Sequence, residues 1–158
     1  MSYRVFLSHS SADIQVANYI VDSARQIEVE VYLCEHDVQP GRHISEKVKA
    51  EIDRSDGMIV LLSPASQQST YVQQEIGYAE GKEKLIIPIA LPGFDPSKLS
   101  MLDGREYILL DYRRPESSIR GMQQFLLRKK HEKNIATGIL WGIGLFLAGA
   151  FVANSENS

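Results

Sequence analysis

The sequence predicts an α/β protein: a doubly wound, five-stranded parallel sheet with helices on both faces, followed by a single transmembrane helix. Three observations carry this. Five apolar runs are interleaved with stretches of helical periodicity over short connections, the pattern of successive β-α-β units. One run, GMIVLL from Gly57 to Leu62, is apolar without alternation, as expected of a strand buried on both faces of a parallel sheet. The stretch Ile135 to Ala153 contains 19 residues and no charge.

The elements follow in order. RVFLS from Arg4 to Ser8 reads as the first strand. Ser10 opens S-S-A-D, a capping-box-like start, and Val16, Ala17, Ile20, Val21, Ala24 and Ile27 then keep helical spacing. Val29 to Leu33 is a second strand. The polar loop Cys34 to His43 contains Pro40-Gly41, a turn signal. Ile44, Val48 and Ile52 place a helix from about Ser45 to Arg54. After the third strand, Thr70 with Gln73 reads as a capping box for a helix that ends at Gly81, a glycine suited to a carboxyl cap. LIIPIAL from Leu85 to Leu91 is a fourth strand, and Pro88, which cannot donate to a ladder, places it near a sheet edge. Glu106 to Asp111 is a fifth strand, and Ser117 to Lys130 a last amphipathic helix.

Composition narrows the function. At 158 residues and 44% hydrophobic, the chain can build one ordinary core. A formal charge of −3 gives no electrostatic case for nucleic acid. Cys34 is the only cysteine, so neither an internal disulfide nor a four-cysteine metal site is possible, and a reducing compartment fits. His9, His36, His43 and His131 share no ligand spacing, so no metal is expected. The amino terminus has no signal-peptide pattern.

As a helix, Ile135 to Ala153 would span roughly 28 Å, close to the hydrocarbon thickness of a bilayer. The basic run Arg128 to Lys133 precedes it, and only Glu156 is charged after it. The positive-inside rule then leaves the large domain in the cytoplasm, on a single-pass membrane protein. The same chain is divided as a domain over residues 1–131, a basic flank over 132–134, the membrane helix over 135–153 and a tail over 154–158. Gly138 and Gly142 form G-x-x-x-G, a spacing that lets membrane helices approach closely.

The candidate site is the stretch Leu61 to Gly81. Tyr71 and Glu75 are four apart on one helix and share a face. They lie beyond the carboxyl end of a strand, where open α/β sheets place their ligands. A carboxylate beside an aromatic ring can bind a ribose or steady a developing positive charge. Glu75 is equally a residue type that faces solvent on ordinary helices. There is no G-x-x-x-x-G-K-[ST] and no G-x-G-x-x-G after the first strand, which removes the common phosphate and dinucleotide loops. A phosphoacceptor receiver is also excluded, because the third strand ends in Ser63 rather than an aspartate.

VFLSHSSAD, the Pro-Gly loop, VLLSPASQQSTYVQQEIGYA and LIIPIAL, in that order, resemble a TIR domain of the kind common in bacteria. The resemblance covers roughly residues 3 to 131. It implies a flavodoxin-like sheet, and many bacterial TIR domains cleave NAD+ at the nicotinamide–ribose bond. On that resemblance Glu75 stands at the catalytic position, and Tyr71 stands where the family often has tryptophan. The loops after the first two strands then line a nucleotide cleft, with Ser8, His9, Ser10, Asp37, Arg42 and Ser63 as substrate-binding candidates. Each has a plainer reading: Ser10 and Asp13 as helix caps, Asp37 and Arg42 as surface charges, Ser63 as a turn residue. NAD+ is then a substrate, and no cofactor is implied. Three functions stay open: a membrane-anchored NAD+ hydrolase or ADP-ribosyl cyclase in antiphage or immune signalling, a non-catalytic adaptor that assembles with other TIR domains at the lipid bilayer, and an effector whose helix damages the membrane.

Overall fold

The computed structural model describes residues 2–34, 43–98 and 104–156; from residue 139 onward only the backbone is described. Strand β1 (Tyr3–Ser8) lies inside a five-stranded sheet whose every pairing is parallel. Its neighbours are β2 (Val29–Leu33) on one side and β3 (Gly57–Leu62) on the other; β4 (Leu85–Ala90) and β5 (Ile108–Leu109) continue outward, giving the order β2-β1-β3-β4-β5. All six residues of β3 are buried, as its unbroken apolar run predicts.

Because side chains alternate along a strand, β1 and β3 feed two separate cores. Val5, Leu7, Ile59 and Leu61 pack with α1 (Ile14–Arg25) and α5 (Pro115–Glu156), through Ala17, Ile20, Ala24, Ile119, Met122 and Leu126. Phe6, Met58, Val60 and Leu62 pack with α2 (Glu46–Arg54) and with the helix Thr70–Gly81, through Ile52, Val72, Ile76 and Ala79. Helices therefore cover both faces.

Several boundaries differ from the sequence reading. A short helix, α3 (Pro64–Gln67), fills what reads as a loop; Ser63 and Ser66 form a reciprocal capping box around Pro64. The helix Thr70–Gly81, now α4, is capped by Ser69, whose hydroxyl accepts from Val72 N. The Thr70 and Gln73 box does not form, since Gln73 Nε2 donates to Gln67 O at 2.8 Å. Ser10 caps a 3-10 turn, Ser11–Asp13, and α1 begins after it. The fifth strand shrinks to two residues because β5 is an outer edge, with Leu109 60% exposed. Pro88 pairs opposite Val60, while β5 meets β4 only at Ile89 and Ala90, so the proline sits near the edge as its missing donor requires.

Helix α5 starts beyond the carboxyl end of β5, crosses the sheet beside α1, and leaves at the amino ends of the strands. There Lys130 Nζ donates to Ile27 O and Glu28 O, both at 3.2 Å, and Lys133 Nζ donates to Ser2 O at 3.0 Å and pairs with Asp56 at 2.8 Å. The backbone then continues without a break to Glu156, so the last amphipathic helix and the apolar stretch expected as a separate span are one element. Among the described residues no helix is long and apolar enough to cross a membrane. Most of the stretch 135–153 lies beyond the last described side chain.

Candidate active site

Strand order reverses between β1 and β3: the chain leaves β1 toward β2 and returns on the other side to β3. In doubly wound sheets this switch point opens a crevice at the carboxyl ends of the strands. Ser8 ends β1 and Ser63 follows β3, so both stand at that opening.

Alternation decides where each serine points. Ser8 shares its side of β1 with Phe6, which packs against α4. There its Oγ donates to Glu75 Oε2 at 2.5 Å, and both residues have no exposed surface. Glu75 sits inside the apolar face of α4, among Val72, Ile76 and Ala79. Removing a carboxylate from water favours its protonated form. Burial accordingly pushes the Glu75 carboxyl from 4.5 up to about 8, and the hydrogen bond from Ser8 pulls the other way. Tyr71, one turn earlier on the same face, is half-buried.

Ser63 shares its side of β3 with Leu61, which faces α1. Its Oγ donates to Asp13 Oδ2 at 2.5 Å and accepts from Ser66 N at 3.0 Å. Asp13 is the residue before α1, but its side chain makes no cap hydrogen bond to that helix. It is spent on Ser63 instead. The sequence leaves Asp13 between a wall of the cleft and a helix cap, and nothing in its local pattern shows the bond to Ser63.

His9 is buried, with Nδ1 2.8 Å from Ser10 O and Nε2 3.1 Å from Cys34 O. It braces the turn after β1 against the end of β2. Ser10 accepts from Ala12 N at 3.3 Å, as a cap. Cys34 is a buried thiol. The structure thus brings Ser8, Glu75, Ser63 and His9 to one end of the sheet, with Tyr71 beside Glu75 in the helix. Asp37 and Arg42 lie outside the described residues. Gln74 Oε1, unremarked in the sequence, accepts from Ile44 N at 2.9 Å and ties α4 to the segment before α2. Among the described residues no three His, Cys, Asp or Glu side chains gather where a metal could be held. A cavity of about 660 Å³ lined by Arg4, Arg25, Glu30 and Tyr32 runs along β2 and includes none of these crevice residues.

Chemically, the arrangement offers a desolvated carboxyl, held by the Ser8 hydroxyl, at the switch-point end of the sheet. It can oppose a positive charge that develops on a bound ligand.

Comparison with known proteins agrees with this architecture. The TIR domains of the activated Roq1 resistosome, which directly recognises the pathogen effector XopQ, superpose with a TM-score of 0.61 at 17% identity, covering 79% of this chain and 99% of theirs. The TIR domain of the Toll-related receptor TRR-2 from Hydra magnipapillata gives 0.62 at 21% identity, covering 79% of this chain and 98% of that one. A metazoan TIR-STING receptor from C. gigas gives 0.59 at 28% identity, covering 77% of this chain and 39% of the receptor. No curated protein matches the sequence. The family model for the TIR domain matches residues 5–126, most of the chain, and the protein therefore belongs to the TIR domain family.

Proposed function

We propose that this chain is an NAD+ nucleosidase that releases nicotinamide, by hydrolysis or by cyclisation of the ADP-ribose. The observation that carries this is Glu75: a carboxyl with no exposed surface, held by Ser8 at the switch-point crevice. When the nicotinamide–ribose bond breaks, its electron pair moves to the ring nitrogen and cancels the charge there. The positive charge passes to the ribose as an oxocarbenium ion. An ionised Glu75 stabilises that ion, and a fixed charge in a dry site needs no reorganisation to do so.

Burial keeps the resting carboxyl protonated at neutral pH, so it must release its proton to solvent as the ligand binds. A cationic nicotinamide entering the crevice favours that ionisation, because a nearby opposite charge lowers a carboxyl's affinity for its proton. Ser8 holds Oε2 in place throughout. The oxocarbenium is then captured by water, which loses a proton, or by a nucleophilic atom of the ADP-ribose itself.

The test is nicotinamide release from NAD+ by the full chain and by Glu75→Gln. Loss of roughly 10²–10³ in kcat is expected for removing one such electrostatic group. Equal release by both proteins refutes the reading, and a variant that still supports assembly with other TIR domains then favours an adaptor. Self-association is supported by likeness to the TIR domains of an assembled resistosome. Attachment to a membrane, with the domain on the cytoplasmic side, rests on the uncharged stretch 135–153 and its basic flank. Removing that stretch should move the protein from a membrane pellet to the supernatant.

A further inference from the structure

The two serine–carboxylate pairs are reciprocal. Ser8 ends β1 and donates to Glu75, which comes after β3; Ser63 follows β3 directly and donates to Asp13, which comes after β1. Strand alternation puts the first pair on the α2/α4 face and the second on the α1/α5 face. The crevice between β1 and β3 is thus cross-tied once on each face of the sheet.

The second tie has a path to the first. Ser63 Oγ also accepts from Ser66 N, and Ser63 N donates to Ser66 Oγ at 2.7 Å, so the residue held by Asp13 is also the cap of α3. Helix α3 is coupled to α4 by the hydrogen bond from Gln73 Nε2 to Gln67 O. Ser69, which caps α4, is itself bonded through its backbone N to Ser66 O at 3.1 Å. Glu75 lies on the second turn of α4.

We infer that Asp13 is a positioning residue for Glu75: by holding Ser63 from the opposite face of the sheet, it fixes the β3–α3–α4 connection and so seats Glu75 against Ser8. The inference extends the nucleosidase reading and rests on it for its catalytic consequence, but its structural part stands alone. Without the Asp13 tie, α3 and the start of α4 shift, the crevice opens, and water reaches the Glu75 carboxyl. Among the described residues, the titratable groups on the elements around Glu75 include His9 after β1, Cys34 after β2, Glu51 and Asp53 on α2, and Tyr78 and Glu80 on α4. Glu51 is paired with Arg4, Asp53 with Tyr78 and Glu80 with Arg105.

The experiment follows the Glu75 side-chain carbon by 13C NMR across pH in the full chain, for wild type, Asp13→Ala, Asp13→Asn and Ser63→Ala. Hydration favours the charged carboxylate, so Asp13→Ala and Ser63→Ala should each lower the Glu75 midpoint by about one unit or more. Asparagine keeps an oxygen that can accept from Ser63, so Asp13→Asn should restore most of the midpoint. A displaced catalytic group costs rate rather than binding, so kcat for nicotinamide release should fall about tenfold or more in the alanine variants with KM within about twofold. A midpoint unchanged in both alanine variants overturns the inference, whatever the activity. A wild-type chain that releases no nicotinamide, but whose midpoint falls in Asp13→Ala, refutes the nucleosidase reading and leaves the positioning role of Asp13 intact.

Discussion

Replacing Glu75 by glutamine removes a titrating group from the interior while keeping its shape and an acceptor for Ser8 Oγ. In the folded protein the carboxyl is pushed from 4.5 up to about 8, mainly by burial. Between those two values the native state holds a proton that the unfolded chain has released. Stability then falls as pH rises, because the unfolded state binds fewer protons. The contribution is fully present below about pH 4.5 and is lost as pH rises through about 8. At about 1.4 kcal/mol per unit, roughly 3 kcal/mol is lost between pH 4.5 and 7, and about 5 kcal/mol once pH exceeds 8. For a domain of this size each kcal/mol moves Tm by about 2–4 °C. Glu75→Gln does not carry this dependence. Thermal unfolding of both proteins from pH 5 to 9 should therefore show a Tm difference that grows in the variant's favour by on the order of 10 °C. Groups common to both proteins cancel in the difference, provided they are not coupled to residue 75. A difference that stays flat across pH would show that the carboxyl is already ionised in the fold, and the burial argument would fail.

Two further outcomes follow from the same geometry. Ser8 donates the hydrogen bond that pulls the Glu75 carboxyl down, so Ser8→Ala should raise it further. The kcat/KM profile for nicotinamide release reports the free enzyme's ionisations; its rising limb should lie near pH 8 in the wild type and higher in Ser8→Ala, and an unmoved limb refutes the role of the hydroxyl. Leu126 is fully buried on α5, so Leu126→Ala should cost about 2–5 kcal/mol in urea unfolding; a loss below about 1 kcal/mol would show that α5 is not part of the core.

Much of this was legible in the sequence because burial on both faces leaves an unmistakable mark. The runs from Arg4 to Ser8 and from Gly57 to Leu62 lack polar alternation, and they are adjacent interior strands. The outer elements were harder. At Tyr107 and Leu109 the apolar letters face outward rather than into a core, and pairing stops after two residues. The helix α3 owes its existence to a reciprocal bond between Ser63 and Ser66, two residue types that suit a turn equally well.

Glu75 shows both the reach and the limit of reading letters. Its spacing from Tyr71 gave the shared face. Its burial was left open, because a glutamate on a helix suits solvent equally well, although Val72, Ile76 and Ala79 form an apolar stripe around it. Its partner was not legible, because the meeting with Ser8 depends on the parallel register that sets Ser8 beside Val60. The same holds for Asp13 and Ser63, 50 positions apart, whose alignment exists only once β1 and β3 are side by side.

The course of α5 separates two jobs in space. Its lysines grip the rim formed by Ser2, Ile27, Glu28 and Asp56, at the amino ends of the strands. Ser8 and Ser63 stand at the other rim, about 20 Å away for a strand of six residues. The domain therefore carries its stalk at one pole and its candidate site at the other. Whatever grips the stalk stands away from the candidate site, and copies gathered by their stalks carry that end of the sheet outward.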